Sequence, residues 1–195
     1  MESEKDKNVR DEIVLSAQKL FQQFGLKKTT MDEIAADCEK AKSTLYHYFK
    51  SKEEVYEAVV DVELVNLRRH VKVLVDGHKS LNDKIETYFN EFHRELLNKV
   101  NIYRIVKQEL ASNSMKDFYF EKIMKYEISY VTRLLEDGYD SDEFKSVSRE
   151  DIPWFSETLL AAFLGIVKYS IARGSNFDFQ KLEKVTHVLV PKVFS

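Results

Sequence analysis

The segment from Lys27 to Lys52 constrains the fold most, because it predicts two short helices joined by a tight turn. Thr30 stands three residues before Glu33, which is the spacing of a reciprocal capping box. In that arrangement the Thr hydroxyl accepts from the Glu amide, and the Glu carboxylate accepts from the Thr amide. The first helix is therefore expected to begin after Thr30. Helices this short do not persist alone in water, so the rest of the chain must hold the pair in place.

The second helix of the pair has one apolar side and one polar, aromatic side. Leu45 and Phe49 are four residues apart and predict the buried side, and at about 100° per residue His47 points directly away from them. The polar side carries Ser43, Thr44, Tyr46, His47 and Tyr48. An ordinary solvated helix would carry Lys, Glu and Gln there. The pattern favours contact with DNA phosphates and base edges over a surface helix whose tyrosines pack against neighbouring elements.

Local charge supports the same interpretation. Residues 27–52 contain six Lys and four acidic residues, a net charge of +2, whereas the whole chain of 195 residues carries −3. The remainder therefore carries −5. A small basic patch on an acidic body is the asymmetry expected of a protein that binds DNA modestly.

Residues 13–52 resemble the DNA-binding domain of the tetracycline-repressor (TetR) family of bacterial transcriptional regulators. The matching residues are Ala17, Leu20, Phe21, Phe24, Gly25, Thr29, Thr30, Ile34, Ala35, Thr44, Leu45, Tyr46, Tyr48, Phe49 and Lys52. A signature this dense is more specific than a generic helix-turn-helix pattern. The resemblance implies a homodimer that binds a palindromic DNA operator, a second domain that binds a small-molecule effector, and release of the DNA when the effector binds.

The predicted DNA contacts fall into two groups. Thr29, Thr30 and Lys52 are expected to position the protein on phosphate, and Lys28 is a further predicted contact. The residues expected to approach bases and backbone at the half-site are Lys42, Ser43, Thr44, Tyr46, His47 and Tyr48.

The turn between the two helices departs from the family's pattern of a small residue, Gly, a branched apolar residue and Ser. This chain has Cys38, Glu39, Lys40 and Ala41 instead. Glu39 in a left-handed conformation would cost about 1–2 kcal/mol, and Ala41 offers no side-chain cap, a loss of about 1 kcal/mol. Ser43 could cap the helix if it begins two residues later. The chief alternative function follows from this turn: a ligand-binding or protein-binding module of the same fold that has lost sequence-specific DNA binding.

The rest of the chain predicts an all-α fold of about nine helices, since only five Gly and two Pro argue against a turn-rich β fold. Helices are expected at about 9–24, 31–38, 43–50, 52–75, 81–99, 102–112, 116–137, 152–173 and 179–194, with a frayed charged arm at 2–8 and an acidic loop at 137–150. The expected domains are residues 1–51, with the helix-turn-helix at about 31–50, and residues 52–195 for effector binding and dimerisation.

The long helix that begins at about Lys52 directly follows the predicted DNA-reading helix. If the C-terminal body tilts it, the two DNA-reading helices of a dimer change their separation. Two half-sites are read together only when that separation matches about 34–36 Å, one turn of B-DNA, or a multiple of it. A movement of a few ångströms would therefore weaken DNA binding, which is a hypothesis for how an effector acts.

The segment from Leu159 to Val167 is apolar on every side and predicts a helix that is buried all round. With the last helix, whose Leu182, Val185, Leu189 and Val193 form a stripe, it is expected to build a two-fold four-helix interface. That expectation rests largely on the resemblance, and burial within one monomer is the alternative. The predicted dimer residues are Ala162, Gly165, Tyr169, Leu182, Val185 and Leu189.

Aromatic residues crowd the middle of the chain, and most of them are expected to belong to the core. Tyrosine hydroxyls need partners, however, and a mostly apolar pocket with a few polar groups is typical of ligand sites. The predicted ligand-binding residues are Phe92, His93, Tyr103, Gln108, Tyr126, Tyr130 and Phe163. The effector would then be hydrophobic or aromatic.

Other chemistries find no support in the sequence. The single cysteine, Cys38, excludes an intrachain disulfide, and five scattered histidines offer no metal-ligand spacing. No glycine-rich phosphate loop or nucleophile elbow is present, so no cofactor, no metal and no enzymatic activity are expected. The apolar runs are too short to cross a bilayer and no signal sequence opens the chain. A soluble cytoplasmic protein without membrane contact is therefore expected.

Overall fold

The computed structural model describes residues 4–99, 113–174 and 177–194. Within these ranges the chain forms eight α-helices and one 3-10 helix, Arg149–Asp151, and no β-strand. The helices are α1 (Glu4–Phe24), α2 (Met31–Asp37), α3 (Lys42–Tyr48), α4 (Lys52–Asp76), α5 (Leu81–Asn98), α6 (Asn113–Asp140), α7 (Ile152–Arg173) and α8 (Phe179–Val193). The all-α prediction is confirmed. The helix expected at about 102–112 lies outside the described residues.

Helix α1 supplies the core on which α2 and α4 pack. Its apolar residues recur at the helical spacing, and Ile13, Ala17 and Phe21 are fully buried. The ring of Phe21 meets the ring of Tyr56 in α4 edge-on, with 5.1 Å between centroids. Gly25 follows α1 with a φ of 80°, a conformation that glycine adopts without steric cost, and it turns the chain toward α2.

The charged residues 4–8 belong to α1, so the prediction of a frayed arm is wrong for them. Their end of α1 contacts the end of α3. The hydroxyl of Tyr48 donates to Asp6 at 3.1 Å, and the guanidinium of Arg10 lies 5.1 Å from the centroid of the Phe49 ring. These long-range contacts favour an ordered helix at positions where the sequence pattern alone indicates a solvated tail.

A buried carboxylate joins α1 to α4. Glu63, on the buried side of α4, is 1% exposed. It accepts hydrogen bonds from the side-chain amides of Gln18 at 2.9 Å and Gln22 at 3.4 Å. A buried charged group is tolerated only when it is hydrogen-bonded, so these contacts fix how α1 sits on α4.

A second polar cluster joins α4, α5 and α6. The Nε of Arg68 donates to Glu127 at 2.7 Å, and the hydroxyl of Tyr88 donates to the other carboxylate oxygen at 2.8 Å. The guanidinium carbon of Arg68 also lies 3.8 Å from the centroid of the Tyr126 ring. Burial raises the pKa of Glu127, and it raises the pKa of Tyr88 well above its ordinary value. Removing one member would leave a buried polar group without its partner, which is costly.

The acidic stretch at 137–150 is helical up to Asp140, further than the loop prediction allowed. Gly138 lets this end of α6 lie close to the start of α5, because a Cβ there would collide with the side chain of Leu81. Glu143 accepts from the amide of Leu81 at 2.7 Å, and Ser80 accepts from the amide of Asp83 at 3.1 Å. Glu143 of the acidic stretch and the N-cap Ser80 therefore each satisfy one free N–H group at the start of α5.

Among the described residues of one chain, α7 is buried on one side only, so the alternative of burial within one monomer is wrong there, and cover by a second copy stays a prediction. Its buried residues are Ile152, Ser156, Leu160, Phe163, Val167 and Ser170. On the other side Trp154 is 71% and Tyr169 is 59% exposed. By length and composition alone, the segment Arg149–Arg173 also qualifies as a possible membrane span, with a mean hydropathy of 1.3. The core helix of a soluble protein meets the same criteria.

Candidate nucleic-acid interface

The start of α2 has the predicted capping box. The amide of Glu33 donates to the Thr30 hydroxyl at 3.2 Å, and the amide of Thr30 donates to the Glu33 carboxylate at 2.8 Å. Thr30 and Lys28 are exposed, as a phosphate contact requires. Thr29 is 1% exposed, and its hydroxyl donates to the carbonyl of Gly25 at 2.9 Å. Its side chain thus holds the loop before α2 and does not lie on the surface where a phosphate contact was expected.

The turn between α2 and α3 has the hydrogen bonds of a Schellman motif. The amide of Lys40 donates to Ala35 at 2.9 Å, and the amide of Glu39 donates to Ala36 at 3.2 Å. Glu39 has a φ of 53°, so a residue with a Cβ occupies the left-handed position that the family's pattern reserves for glycine. The turn keeps its geometry at the cost of local strain.

Helix α3 begins at Lys42 with Ala41 as its N-cap, and no side chain caps it. The alternative, in which Ser43 caps a helix that begins later, is therefore wrong. The first N–H groups of α3 are left without a side-chain acceptor and face solvent, since Ala41, Lys42 and Ser43 are all exposed. Free N–H groups at a helix start favour an anion.

The two sides of α3 are arranged as the sequence predicts. Leu45 and Phe49 are 0% and 3% exposed and anchor α3 to the core. Tyr46 is 47% exposed, and His47 is exposed beside it. The rings of His47 and Tyr48 meet edge-on at 5.0 Å between centroids, while Thr44 and Tyr48 are half-buried. The protein thus presents donors, acceptors and flat rings on one side of a short, firmly anchored helix.

Carboxylates of the same chain hold two lysines near the start of α3. The Nζ of Lys42 lies 2.7 Å from one carboxylate oxygen of Asp32 and 3.0 Å from the other. The Nζ of Lys40 lies 2.7 Å from Glu12 in α1. A hydrogen bond and the negative charge of the partner raise the pKa of each lysine, from Asp32 for Lys42 and from Glu12 for Lys40. The sequence did not indicate either pair.

Helix α4 begins directly after α3, and Lys52 is its first residue. The hydroxyl of Ser51 accepts from the amide of Glu54 at 3.2 Å, and the Glu54 carboxylate accepts from the amide of Lys50 at 2.6 Å. The backbone N–H groups of Lys50 and Glu54, on either side of Ser51, thus both have hydrogen-bond partners. Lys52 is half-buried on the same stretch of chain, so its position is tied to that of α3.

The predicted ligand-binding residues do not share one cavity. Phe92, Tyr126 and Tyr130 line a cavity of about 10 Å³ beside Arg68, which holds about one water molecule. Burial raises the pKa of Tyr130 to about 12. Tyr103 and Gln108 lie outside the described residues.

His93 and Phe163 lie in the core between α5 and α7 instead, with their ring centroids 6.0 Å apart. A ring nitrogen of His93 is 2.7 Å from the hydroxyl of Ser170, and that hydroxyl donates to Val167 at 2.8 Å. The ring nitrogen must therefore be the donor in the first contact. Burial lowers the pKa of His93 to about 4.

A larger apolar groove of about 190 Å³ lies between α5, α7 and α8. Its lining includes Phe89, Leu159, Ala162, Phe163, Ile166, Leu182, Val185, Leu189 and Val193. Four of the predicted dimer residues are among them, namely Ala162, Leu182, Val185 and Leu189. Gly165 lies beside this groove on the open side of α7, where an added Cβ would meet no atom within 4 Å. Within the described chain, no group of three or more His, Cys, Asp or Glu is placed to hold a metal ion.

The family model described as bacterial regulatory proteins, tetR family, matches residues 13–59. This match covers most of α1, all of α2 and α3, and the start of α4. It therefore includes every predicted DNA contact.

Similar proteins extend over nearly the whole chain. The uncharacterized HTH-type transcriptional regulator YfiR of Bacillus subtilis is 26% identical over 183 residues, 92% of this chain and 85% of that protein. The HTH-type transcriptional regulator QacR of Staphylococcus aureus is 24% identical over 191 residues, 94% of this chain and 97% of that protein. The crystal structure of the transcriptional regulator FadR from Bacillus subtilis in complex with stearoyl-CoA has a similar fold. Its TM-score is 0.73 at 16% identity, and the match covers 95% of this chain and 99% of that one.

Proposed function

Because this chain belongs to the TetR family of bacterial transcriptional regulators, we propose that it is a dimeric repressor that leaves a palindromic operator when a hydrophobic or aromatic effector binds. DNA contact is assigned to α2, α3 and the start of α4, within a domain formed by residues 1–51. Effector binding and dimerisation are assigned to residues 52–195. A protein that acts on DNA works in the bacterial cytoplasm, and the proposal includes no catalytic step.

One observation carries the proposal for DNA binding: α3 turns its polar aromatic side to solvent while Leu45 and Phe49 hold its back. A helix of this kind can enter the major groove, where side-chain donors and acceptors distinguish base pairs. Lys28, Thr30 and Lys52 are proposed to hold the protein on the DNA backbone, and the buried Thr29 to position the loop between them.

The turn supports DNA binding over the alternative of a module that has lost it. Glu39 and Ala41 depart from the family's pattern, yet the Schellman hydrogen bonds to Ala35 and Ala36 are formed. Helix α3 therefore leaves the turn in a defined direction. The deviation changes local stability more than it changes the exposed surface of α3.

Selection of bound fragments from the source genome tests this proposal directly. The expected result is recovery of a short palindromic sequence whose affinity falls steeply as salt is raised. Failure to bind any genomic fragment at low salt would favour the alternative, a protein of the same fold that binds only ligands or other proteins.

The proposed dimer uses α7 and α8. Exposed apolar residues occur on both helices, among them Ile166 and Tyr169 on α7 and Val185 and Leu189 on α8. A contiguous apolar surface of this kind is costly to leave in water and is typical of an interface. A second copy related by a two-fold axis would cover it with the same residues, as an isologous interface requires.

The proposed effector is hydrophobic or aromatic, because the groove between α5, α7 and α8 is lined mostly by apolar side chains. Two locations are available: the groove of about 190 Å³, which a second copy would close over because it shares Ala162, Leu182, Val185 and Leu189 with the proposed dimer surface, and the aromatic cluster around Tyr126 and Tyr130. The second needs displacement of rings, since its cavity is about 10 Å³. FadR from Bacillus subtilis, which shares this fold, was crystallised in complex with stearoyl-CoA, and this supports the capacity of the fold for a long apolar ligand.

Release of DNA is assigned to movement of α4. Its first half is fixed to α1 through Glu63, and Arg68 connects its middle to α6 through Glu127. A ligand that shifts α5 or α6 would therefore tilt α4 and carry α3 with it. The test is the distance between the two α3 helices of the dimer, which should differ between the ligand-bound and DNA-bound forms. An unchanged distance would contradict this mechanism.

A further inference from the structure

The ion pairs of Lys42 and Lys40 differ in how open they are to a ligand. The side chains of Lys42 and Asp32 are 57% and 64% exposed, at the start of α3 and in the first turn of α2. Lys40 is 29% exposed and is held between the turn and Glu12 of α1. A phosphate can thus reach Lys42 from solvent, and Asp32 is the group with which it must compete.

We infer that Asp32 restrains the affinity of this protein for DNA by competing with phosphate for Lys42, an inference that rests on the proposed DNA-binding function. If Lys42 turns to a phosphate, Asp32 loses its partner and stays beside a second negative charge. If Lys42 stays with Asp32, the phosphate gains no cation. In both cases Lys42 contributes less binding free energy to the complex with DNA than an unpaired lysine would.

The restraint acts most strongly on DNA that is not the operator. Binding to non-operator DNA depends almost entirely on phosphate contacts and the release of counterions, whereas operator binding adds contacts to base edges. A carboxylate that pairs with one lysine therefore removes a larger fraction of the binding free energy for non-operator DNA than of that for the operator. Asp32 is in this sense a specificity-determining residue, although it presents no donor to the DNA.

Asp32→Asn tests the inference, because it removes the charge and keeps the shape. The probe is a random-sequence duplex of about thirty base pairs, titrated from about 50 mM to about 200 mM salt. The variant should bind several-fold more tightly than wild type at the lower salt, and its plot of log affinity against log salt should be steeper by about one. Glu150→Gln removes the same charge from the 3-10 helix before α7, and it should bind as wild type does.

Lys42→Ala completes a double-mutant cycle with Asp32→Asn. If Asp32 acts through Lys42, the gain from Asp32→Asn largely disappears in the Lys42→Ala background. A gain of equal size in both backgrounds overturns the inference, because Asp32 would then act through its own charge alone. Weaker binding by Asp32→Asn also overturns it and assigns Asp32 the opposite role of holding Lys42 in place for DNA.

DNA binding by the wild-type protein distinguishes failure of this inference from failure of the proposed function. If wild type binds the duplex and Asp32→Asn binds it equally well, only the inference is wrong. If neither wild type nor any of the variants binds the random duplex or any genomic fragment at about 50 mM salt, the DNA-binding proposal is wrong and the inference with it. Thermal melts of each variant check that α2 remains folded.

Discussion

The backbone amide of Lys40 donates to the carbonyl of Ala35 at 2.9 Å, and this bond closes the turn around a left-handed Glu39. The strain at Glu39 can be relieved without changing the turn. Glu39→Gly is expected to raise the free energy of unfolding by about 0.5–1 kcal/mol, because the steric cost of a left-handed residue exceeds the entropic cost of glycine. Urea denaturation measures the change. Glu53→Gly, in the first turn of α4, should lower stability instead, and a loss in both variants would contradict the assigned strain.

Tyr46 and Leu45 are neighbours about 100° apart around α3, one half-exposed and one buried, so their substitution should affect different properties. Tyr46→Ala is expected to weaken operator binding about tenfold or more, with a change in stability within about 0.5 kcal/mol. Leu45→Ala should cost about 2–5 kcal/mol of stability, because it opens a cavity in the core. Fluorescence anisotropy and thermal melts separate the two effects. A Tyr46→Ala variant that melts early and binds DNA normally would argue against the proposed orientation of α3.

Lys52 should contribute through charge alone. Replacement by Ala is expected to reduce the slope of log affinity against log salt by about one, because one fewer phosphate is neutralised. The measurement is a titration of the selected operator at several salt concentrations. Lys79→Ala, in the segment between α4 and α5, removes the same charge and should leave the slope unchanged. Equal slopes for both variants and wild type would remove Lys52 from the interface.

Gly165 lies on the open side of α7 with free space around its Cα in the monomer. Gly165→Leu should leave the monomer folded and weaken the dimer about tenfold or more, because a leucine there would overpack a close helix contact between copies. Analytical ultracentrifugation measures the dissociation constant. Asn66→Leu adds a leucine to the exposed side of α4 and serves as the control. If both variants dimerise like wild type, the interface lies elsewhere.

His93 should make the stability of the protein depend on pH. Its folded pKa is about 4, below the value of about 6.5 in an unfolded chain. Between these values the unfolded chain binds a proton that the folded chain does not, so stability rises with pH across this window and is lost as the solution is acidified through it.

The comparison with His93→Gln isolates this effect. Wild type should lose about 2 kcal/mol relative to the variant between about pH 6.5 and about pH 4, as measured by urea denaturation at each pH. His70→Gln, on the exposed side of α4, is the matched control and should follow wild type. A pH dependence that His93→Gln leaves intact would assign the loss to other groups.

Features set by neighbours within about four residues could be predicted from the sequence. The capping box of Thr30 and Glu33, and the buried pair Leu45 and Phe49, depend on spacing along a single helix. The strain at Glu39 was also predictable, because the family's pattern for this turn places a left-handed residue at that position.

Features that depend on a distant partner could not be predicted. Asp32 and Lys42 are ten residues apart on different helices, and Glu12 and Lys40 are farther apart still, so no helical spacing indicates these ion pairs. Thr29 is buried where the loop after α1 brings its hydroxyl to the carbonyl of Gly25. The acidic stretch gave no indication that Glu143 would satisfy the first amide of α5.

Helix α7 illustrates a third case. An apolar sequence on every side predicts burial, yet it cannot say whether the same chain or a second copy supplies the cover. The structure of one chain leaves Trp154 and Tyr169 exposed. The described part of the same chain does not supply the cover, and cover by a second copy stays a prediction.

The apolar side that α7 leaves open has a consequence for gene dosage. Under the proposed assembly, two chains must dimerise before a palindrome is occupied. When most chains are monomers, the concentration of dimers varies as the square of the concentration of chains. Halving synthesis would then remove about three quarters of the pairs. A regulator of this kind amplifies small changes in its own production before any effector is present.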